Sequence, residues 1–116
     1  MHRRIVERTT GFDGELKKLS KKHRGLTDKV EELLEGLSTD RISDGDQLNG
    51  CSGYPVFKKR CGTGNVGRRG GARIIYYKDE ARLGALSIYL KSRKTDISSK
   101  QVMALLMHYL LSQSAD

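Results

Sequence analysis

The apolar period of this chain changes from about four residues to two just after Pro55, and it returns to about four at Ser98. Those two switches decide the fold class, because a 3.6-residue period builds a helix with one buried stripe and a 2-residue period builds a strand with one buried face. Phe12, Leu16 and Leu19 recur at helical spacing among Lys17, Lys18, Lys21 and Lys22. Leu26, Val30, Leu33, Leu34 and Leu37 repeat the pattern, with Glu31, Glu32 and Glu35 on the opposite, solvated face. The two stripes predict a helical hairpin that turns between His23 and Leu26, with Gly25 stopping the first helix and Thr27 or Asp28 opening the second.

The stretch from Ser38 to Pro55 (STDRISDGDQLNGCSGYP) is rich in Gly, Ser, Asp and Asn and reads as an irregular connection. Beyond it, Val56–Cys61 reads as a strand with Val56, Lys58 and Arg60 on one face and Phe57, Lys59 and Cys61 on the other. Arg73–Lys78 and Leu83–Lys91 supply a second and a third strand, with a turn at Asp79–Arg82, so the expected sheet is an antiparallel meander. Ser98 and Gln101 then have capping-box spacing, and Val102, Leu105, Leu106, Tyr109 and Leu110, widened by Met103 and Met107, form the stripe of a closing helix that packs on the core. The fold class expected is α+β: an N-terminal helical hairpin packed on a small antiparallel sheet, followed by a C-terminal helix, in one domain over residues 1–116.

Charge is sorted along this framework. Residues 1–54 carry ten Lys/Arg against ten Asp/Glu, and residues 55–116 carry twelve against four, so the net +8 arises in the second half. The segment Val56–Arg73 (VFKKRCGTGNVGRRGGAR) holds six basic residues and no acidic one, which is the footprint of a polyanion-binding surface. If its two flanking strands pair, Lys58 and Arg60 project from one face and Arg73 joins them from the neighbouring strand, three cations that repel unless an anion sits among them. Tyr89, Lys91 and Arg93 share a strand parity that borders the same face, and Lys94 extends the charge. Between the strands, the glycine-rich run from Gly62 to Gly71 presents Arg68 and Arg69 without a phosphate-loop motif.

Several function classes are disfavoured by the same residues. The start MHRRIVERTT has no apolar core of a secretory signal, and no run reaches the ~18 apolar residues of a membrane span, so a cytoplasmic protein is expected. Cys51 and Cys61 have neither CxxC spacing nor a neighbouring His, which argues for two reduced thiols rather than a zinc site. The acids of the second half, Asp79, Glu80, Asp96 and Asp116, do not form a metal clamp, and His2, His23 and His108 are scattered, so no metal or other cofactor is expected. Phosphoryl transfer within RNA remains, in which the substrate's own 2′-OH attacks the adjacent phosphate while clustered cations stabilise the charge of the transition state. Arg does not release its proton in practice, so proton transfer falls to Lys58, Lys91 or Tyr89.

The run VFKKR, a Gly-rich turn, RRGGARIIYY and IYLKSRKTDIS, preceded by two helices and by Gly45, Leu48 and Gly50 in a G-x-x-L-x-G pattern, resembles the RelE/ParE toxin superfamily, especially its RelE-like and HigB-like mRNA endoribonucleases. The resemblance spans nearly the whole chain. It implies a RelE-like microbial ribonuclease fold and the toxin of a bacterial type II toxin–antitoxin module, cleaving mRNA on the ribosome without metal and inhibiting translation. By the same resemblance Lys58 and Arg60 contact RNA phosphates, Arg73 stabilises the transition state, and Arg93 with Lys91 completes the catalytic set. Lys59, Arg68, Arg69, Tyr89 and Lys94 are the expected RNA-binding residues. The implied partners are ribosome-bound mRNA and a cognate antitoxin, an acidic and partly disordered protein, with operator DNA reached only through the toxin–antitoxin complex and no membrane. One position departs from the pattern: some members carry a base-stacking Tyr beyond the last basic residue, where this chain reads Asp96, Ile97, Ser98, Ser99, leaving Tyr89 as the nearest replacement. Two other readings fit the charge, a ParE-like toxin that inhibits gyrase and a non-enzymatic RNA-binding or ribosome-associated module.

Overall fold

The protein is described from a computed structural model, which covers residues 2–62, 71–92 and 97–113. The elements in order are β1 (Ile5–Arg8), α1 (Thr10–Ser20), α2 (Leu26–Ser38), β2 (Asp46–Gln47), β3 (Val56–Cys61), β4 (Ala72–Lys78), β5 (Arg82–Leu90) and α3 (Ser99–Gln113). They form the expected α+β arrangement, with the helical hairpin on one face of the sheet and α3 on the other. Among the described residues no helix is long and apolar enough to cross a membrane.

The sheet is larger than the meander read from the sequence. Its order is β1-β5-β4-β3-β2, with β1 parallel to β5 and the remaining pairs antiparallel. The hairpin buries Phe12, Leu16, Val30, Leu34 and Leu37 against Ile74, Tyr76, Ala85 and Ile88. On the opposite face, Val102, Leu106 and Tyr109 of α3 cover Val56, Ile75, Tyr77, Leu86 and Tyr89. Both sides of the central strands are therefore apolar, as a sheet sandwiched between helices requires.

A bulge sets the parity of β5. Ile75 pairs with Ser87 while Tyr76 pairs with Ala85, so Leu86 is the extra residue. The disturbance is stabilised from α1, where the Glu15 carboxylate accepts from Ser87 Oγ and from the Ile88 backbone N–H, each at 3.2 Å. After the bulge, Ile88 and Leu90 face the hairpin and Tyr89 faces α3.

Helix ends follow the sequence, with one change. Thr9 Oγ1 accepts from Phe12 N at the start of α1. Gly25, expected to stop the first helix, instead caps the start of α2 at φ 85°, where its lack of a Cβ removes the usual strain. The capping box of α3 is formed in both directions: Gln101 N donates to Ser98 Oγ at 3.2 Å, and Ser98 N donates to Gln101 Oε1 at 3.1 Å.

The connection after α2 is held by charge. Lys78, only 5% exposed in its side chain, donates to Asp40 Oδ1 at 2.8 Å and to Asp44 Oδ1 at 3.0 Å. Arg4 adds a 3.0 Å bond to Asp40, and the buried Tyr76 hydroxyl donates to Asp44 while accepting from Gly45 N. Lys78 foremost, then Arg4, holds the Asp40 carboxyl down at about 2. A depressed carboxyl contributes stability that is complete above its ordinary 3.8 and is lost as pH falls through about 2. Chemical denaturation between those two pH values should therefore show a steep acid loss that Asp40→Asn flattens. Asn tolerates the left-handed φ of 61° at this position, so the variant isolates the charge. Lys78→Met, which takes one donor from each of two carboxylates that keep Arg4 and the Tyr76 hydroxyl as partners, should lower stability near neutral pH by about 1–3 kcal/mol.

Candidate nucleic-acid interface

Strand register decides which cations meet. β3 and β4 pair Lys58 with Ile75 and Arg60 with Arg73, and β4 and β5 pair Arg73 with Tyr89. Cross-strand partners project to the same face, so Lys58, Arg60, Arg73 and Tyr89 share the face that carries α3. Lys91 follows two residues after Tyr89, where its N–H donates to Gly71 O at 3.3 Å. Arg60 is exposed, whereas Lys58, Arg73 and Lys91 are half-buried, and Arg73 Nη1 donates to Ala72 O at 3.4 Å. Like charges directly opposite on a sheet oppose folding, so an Arg60–Arg73 pair is a feature that stability alone does not favour.

Helix α3 packs on part of this face. Val102, Leu106 and Tyr109 cover the Val56–Tyr77–Leu86 region of the face, and the Tyr109 ring lies so close to Gly84 that a Cβ there would stand 2.4 Å from Tyr109 Cζ. The Tyr109 hydroxyl donates to Glu7 Oε1 at 2.6 Å, and Arg82 bridges Glu7 Oε2 to Gln113 Oε1 at 2.9 and 3.1 Å. Burial foremost, with the Glu7 carboxylate beside it, pushes the Tyr109 hydroxyl up, so it stays a neutral donor. One face thus has an apolar end under a helix and a cationic end beside it.

Other sequence-derived site residues lie elsewhere. Lys59 projects from the hairpin face, and its ammonium donates to Ser43 O at 2.8 Å, so the fold does not bring it to the Arg60–Arg73 rung. Tyr89 shares that rung but is only 6% exposed and packs in the cluster under α3, so its ring is not presented to a base while α3 is docked. Arg68, Arg69, Arg93 and Lys94 lie outside the described residues. Cys51 and Cys61 are free and buried, and burial pushes the Cys61 thiol up to about 11, which makes it inert as a nucleophile. Among the described residues no cluster of His, Cys, Asp and Glu could hold a metal ion.

One residue was missed in the sequence. Asp46 of β2 pairs with Lys58, and Leu48 two residues on packs in the α3-side cluster, so Asp46 stands on the cationic face at its outer edge. Directly opposed residues have Cβ atoms about 5 Å apart, which brings a carboxylate within reach of Lys58. The arrangement can therefore bind a phosphate and also offer a proton acceptor beside it.

The described fold aligns with the structure of E. coli toxin RelE, a double Arg-to-Ala mutant in the free state, at a TM-score of 0.50, 18% sequence identity, and coverage of 80% of this chain and 88% of that one. The chain has a RelE-like fold. No protein-family model matches it, and no curated protein matches its sequence.

The burial of Tyr89 makes a definite expectation. Tyr89→Ala should cost about 3 kcal/mol of stability through the cavity it leaves, while Tyr89→Phe should keep most of the stability and, in fluorescence-anisotropy titrations, the wild-type affinity for RNA. A large affinity loss in a well-folded Tyr89→Phe protein would show that the hydroxyl touches RNA.

Proposed function

We propose that this protein is a RelE-like toxin of a type II toxin–antitoxin module, an endoribonuclease that cleaves ribosome-bound mRNA in the cytoplasm and is restrained by a cognate antitoxin. The observation that carries the reading is the cross-strand Arg60–Arg73 pair, one rung from Lys58, on a face that α3 covers only in part. Support comes from the RelE-like fold and from the net +8 of the chain.

In this reading the scissile phosphate lies across Arg60 and Arg73, whose guanidiniums neutralise the extra charge of the pentacoordinate transition state. The ribose 2′-OH attacks: its oxygen forms a bond to phosphorus, and its proton passes to a base on the same face. Asp46 is the carboxylate placed for that role, beside Lys58. The bond from phosphorus to O5′ breaks, and the leaving oxygen takes a proton from the Lys58 or Lys91 ammonium. The products are a 2′,3′-cyclic phosphate and a 5′-hydroxyl. No metal takes part in these steps, because the nucleophile belongs to the substrate. An acidic antitoxin segment neutralises the toxin by covering the cationic face or by taking the place of α3.

Arg73→Ala should reduce single-turnover cleavage on programmed ribosomes by about 10²–10³-fold while leaving circular dichroism and the denaturation midpoint close to wild type. Full cleavage by the folded variant would overturn the site assignment. End analysis of the fragments is the second arm: 3′-hydroxyl and 5′-phosphate ends would refute 2′-OH attack. Primer extension on RNA from expressing cells separates the class as a whole, since a gyrase inhibitor or a passive RNA binder leaves no discrete breaks.

A further inference from the structure

A second cationic surface sits on the other side of the sheet. The segment Lys17–Lys29 carries six Lys/Arg and one acid, Asp28, across the end of α1, the turn and the start of α2. Lys17, Lys18, Lys21, Lys22, Arg24 and Lys29 are all exposed. None of the six makes an ion pair among the described residues, whereas Arg3, Arg4, Arg8, Lys78 and Arg82 each do. The helix dipole does not account for the patch, since the C-terminal end of α1 offers only about half a negative charge.

Its position ties it to the cationic face. α1 passes β5 at Ser87 and Ile88 and continues toward the strand's C-terminal end, the end where Arg73 and Tyr89 pair. Lys29 and Arg60 line one cleft of about 190 Å³ with Glu32, Leu33, Ile42, Cys61 and Gly62, and the charge of Lys29 acts on the Cys61 thiol. Lys29 and Arg60 thus connect the α1–α2 corner to the sheet face across one cleft, whose lining also carries the acid Glu32.

We propose that the α1–α2 corner is a second RNA-binding surface, engaging the phosphate backbone of structured RNA outside the strand held on the sheet. The proposal rests on the reading of the sheet face as an RNA site and extends it to a second contact. Lysine ammoniums are point charges that read phosphates rather than base edges. Among the described residues the exposed large hydrophobics are Ile5, Tyr54 and Leu111, none of them at this corner, so its described part lacks the apolar anchor that a protein interface centres on. These features favour RNA over an acidic protein as the occupant.

The test replaces Lys17, Lys18, Lys21 and Lys22 together by Gln, exposed positions whose change leaves the core intact. Binding to purified ribosomes is measured by sedimentation from about 50 to 300 mM salt, and binding to a short single-stranded RNA by anisotropy. Each phosphate contact contributes about 0.7–0.9 to the slope of log K against log salt, so with all four lysines on phosphates the ribosome slope should fall by about 3–4 while the short-RNA slope stays at its wild-type value. Unchanged ribosome affinity and slope in the variant overturn the proposal, and so does a loss confined to poly-glutamate, which would assign the corner to an acidic protein. Arg73→Ala run alongside keeps the two readings apart: undiminished cleavage there sinks the function, whereas an undiminished slope in the Lys variant sinks only the second surface.

Discussion

The close packing of Tyr109 on Gly84 governs the geometry of the candidate site. Because residue 84 has no side chain, the Tyr109 ring lies against the strand backbone, and its hydroxyl reaches Glu7 on the neighbouring parallel strand. The anchor fixes the C-terminal half of α3 at the β1 side of the sheet. From there the helix packs in one cluster with Leu86, Ile75, Val56 and Tyr89, the last of which shares the Arg60–Arg73 rung. Were Gly84 any other residue, α3 would have to rise from the sheet by a good part of an ångström or more, and the boundary between the apolar and the cationic end of the face would move with it.

Much of this was legible in local pattern. The two helices of the hairpin, the strand parity that puts Lys58 and Arg60 together, and the reciprocal Ser98–Gln101 cap all depend on residues within a few positions of one another, where period and side-chain chemistry speak directly. What escaped depends on distant partners. β1 is a four-residue strand whose ladder runs parallel to β5, more than seventy positions away, and IVER carries too few alternations to announce it. β2 is two residues in a stretch that reads as loop, defined by pairing with Phe57 and Lys58 alone, so the carboxylate of Asp46 was not associated with the cations. Tyr89 has the parity expected, but parity does not say how far α3 reaches, and the ring proved to be core.

Charge shows the same limit. Counted by halves, the first 54 residues are neutral, with ten cations and ten acids. Folding redistributes that balance: Glu7, Asp13, Glu35, Asp40 and Asp44 pair with Arg82, Arg8, Arg3, Arg4 and Lys78, cations drawn from both halves. The acids are thereby taken up at the β1 side and at the loop after α2. The lysines at the end of α1 are left as a local excess that a count by halves does not reveal.

The placement of Tyr89 bears on how RNA would be recognised. A base stacked on an aromatic ring contributes about 1–3 kcal/mol. With Tyr89 covered by α3, the described part of the face offers guanidinium and ammonium groups and one carboxylate, all of which act on phosphate and ribose rather than on base edges. Binding on such a surface is strong at low salt and nearly indifferent to sequence. Under the proposed function, discrimination among messages would come from where the RNA is presented, by a ribosome that holds one codon in a fixed place, and a second phosphate contact at the α1–α2 corner is the kind of feature that would fix the protein's orientation there without reading a base.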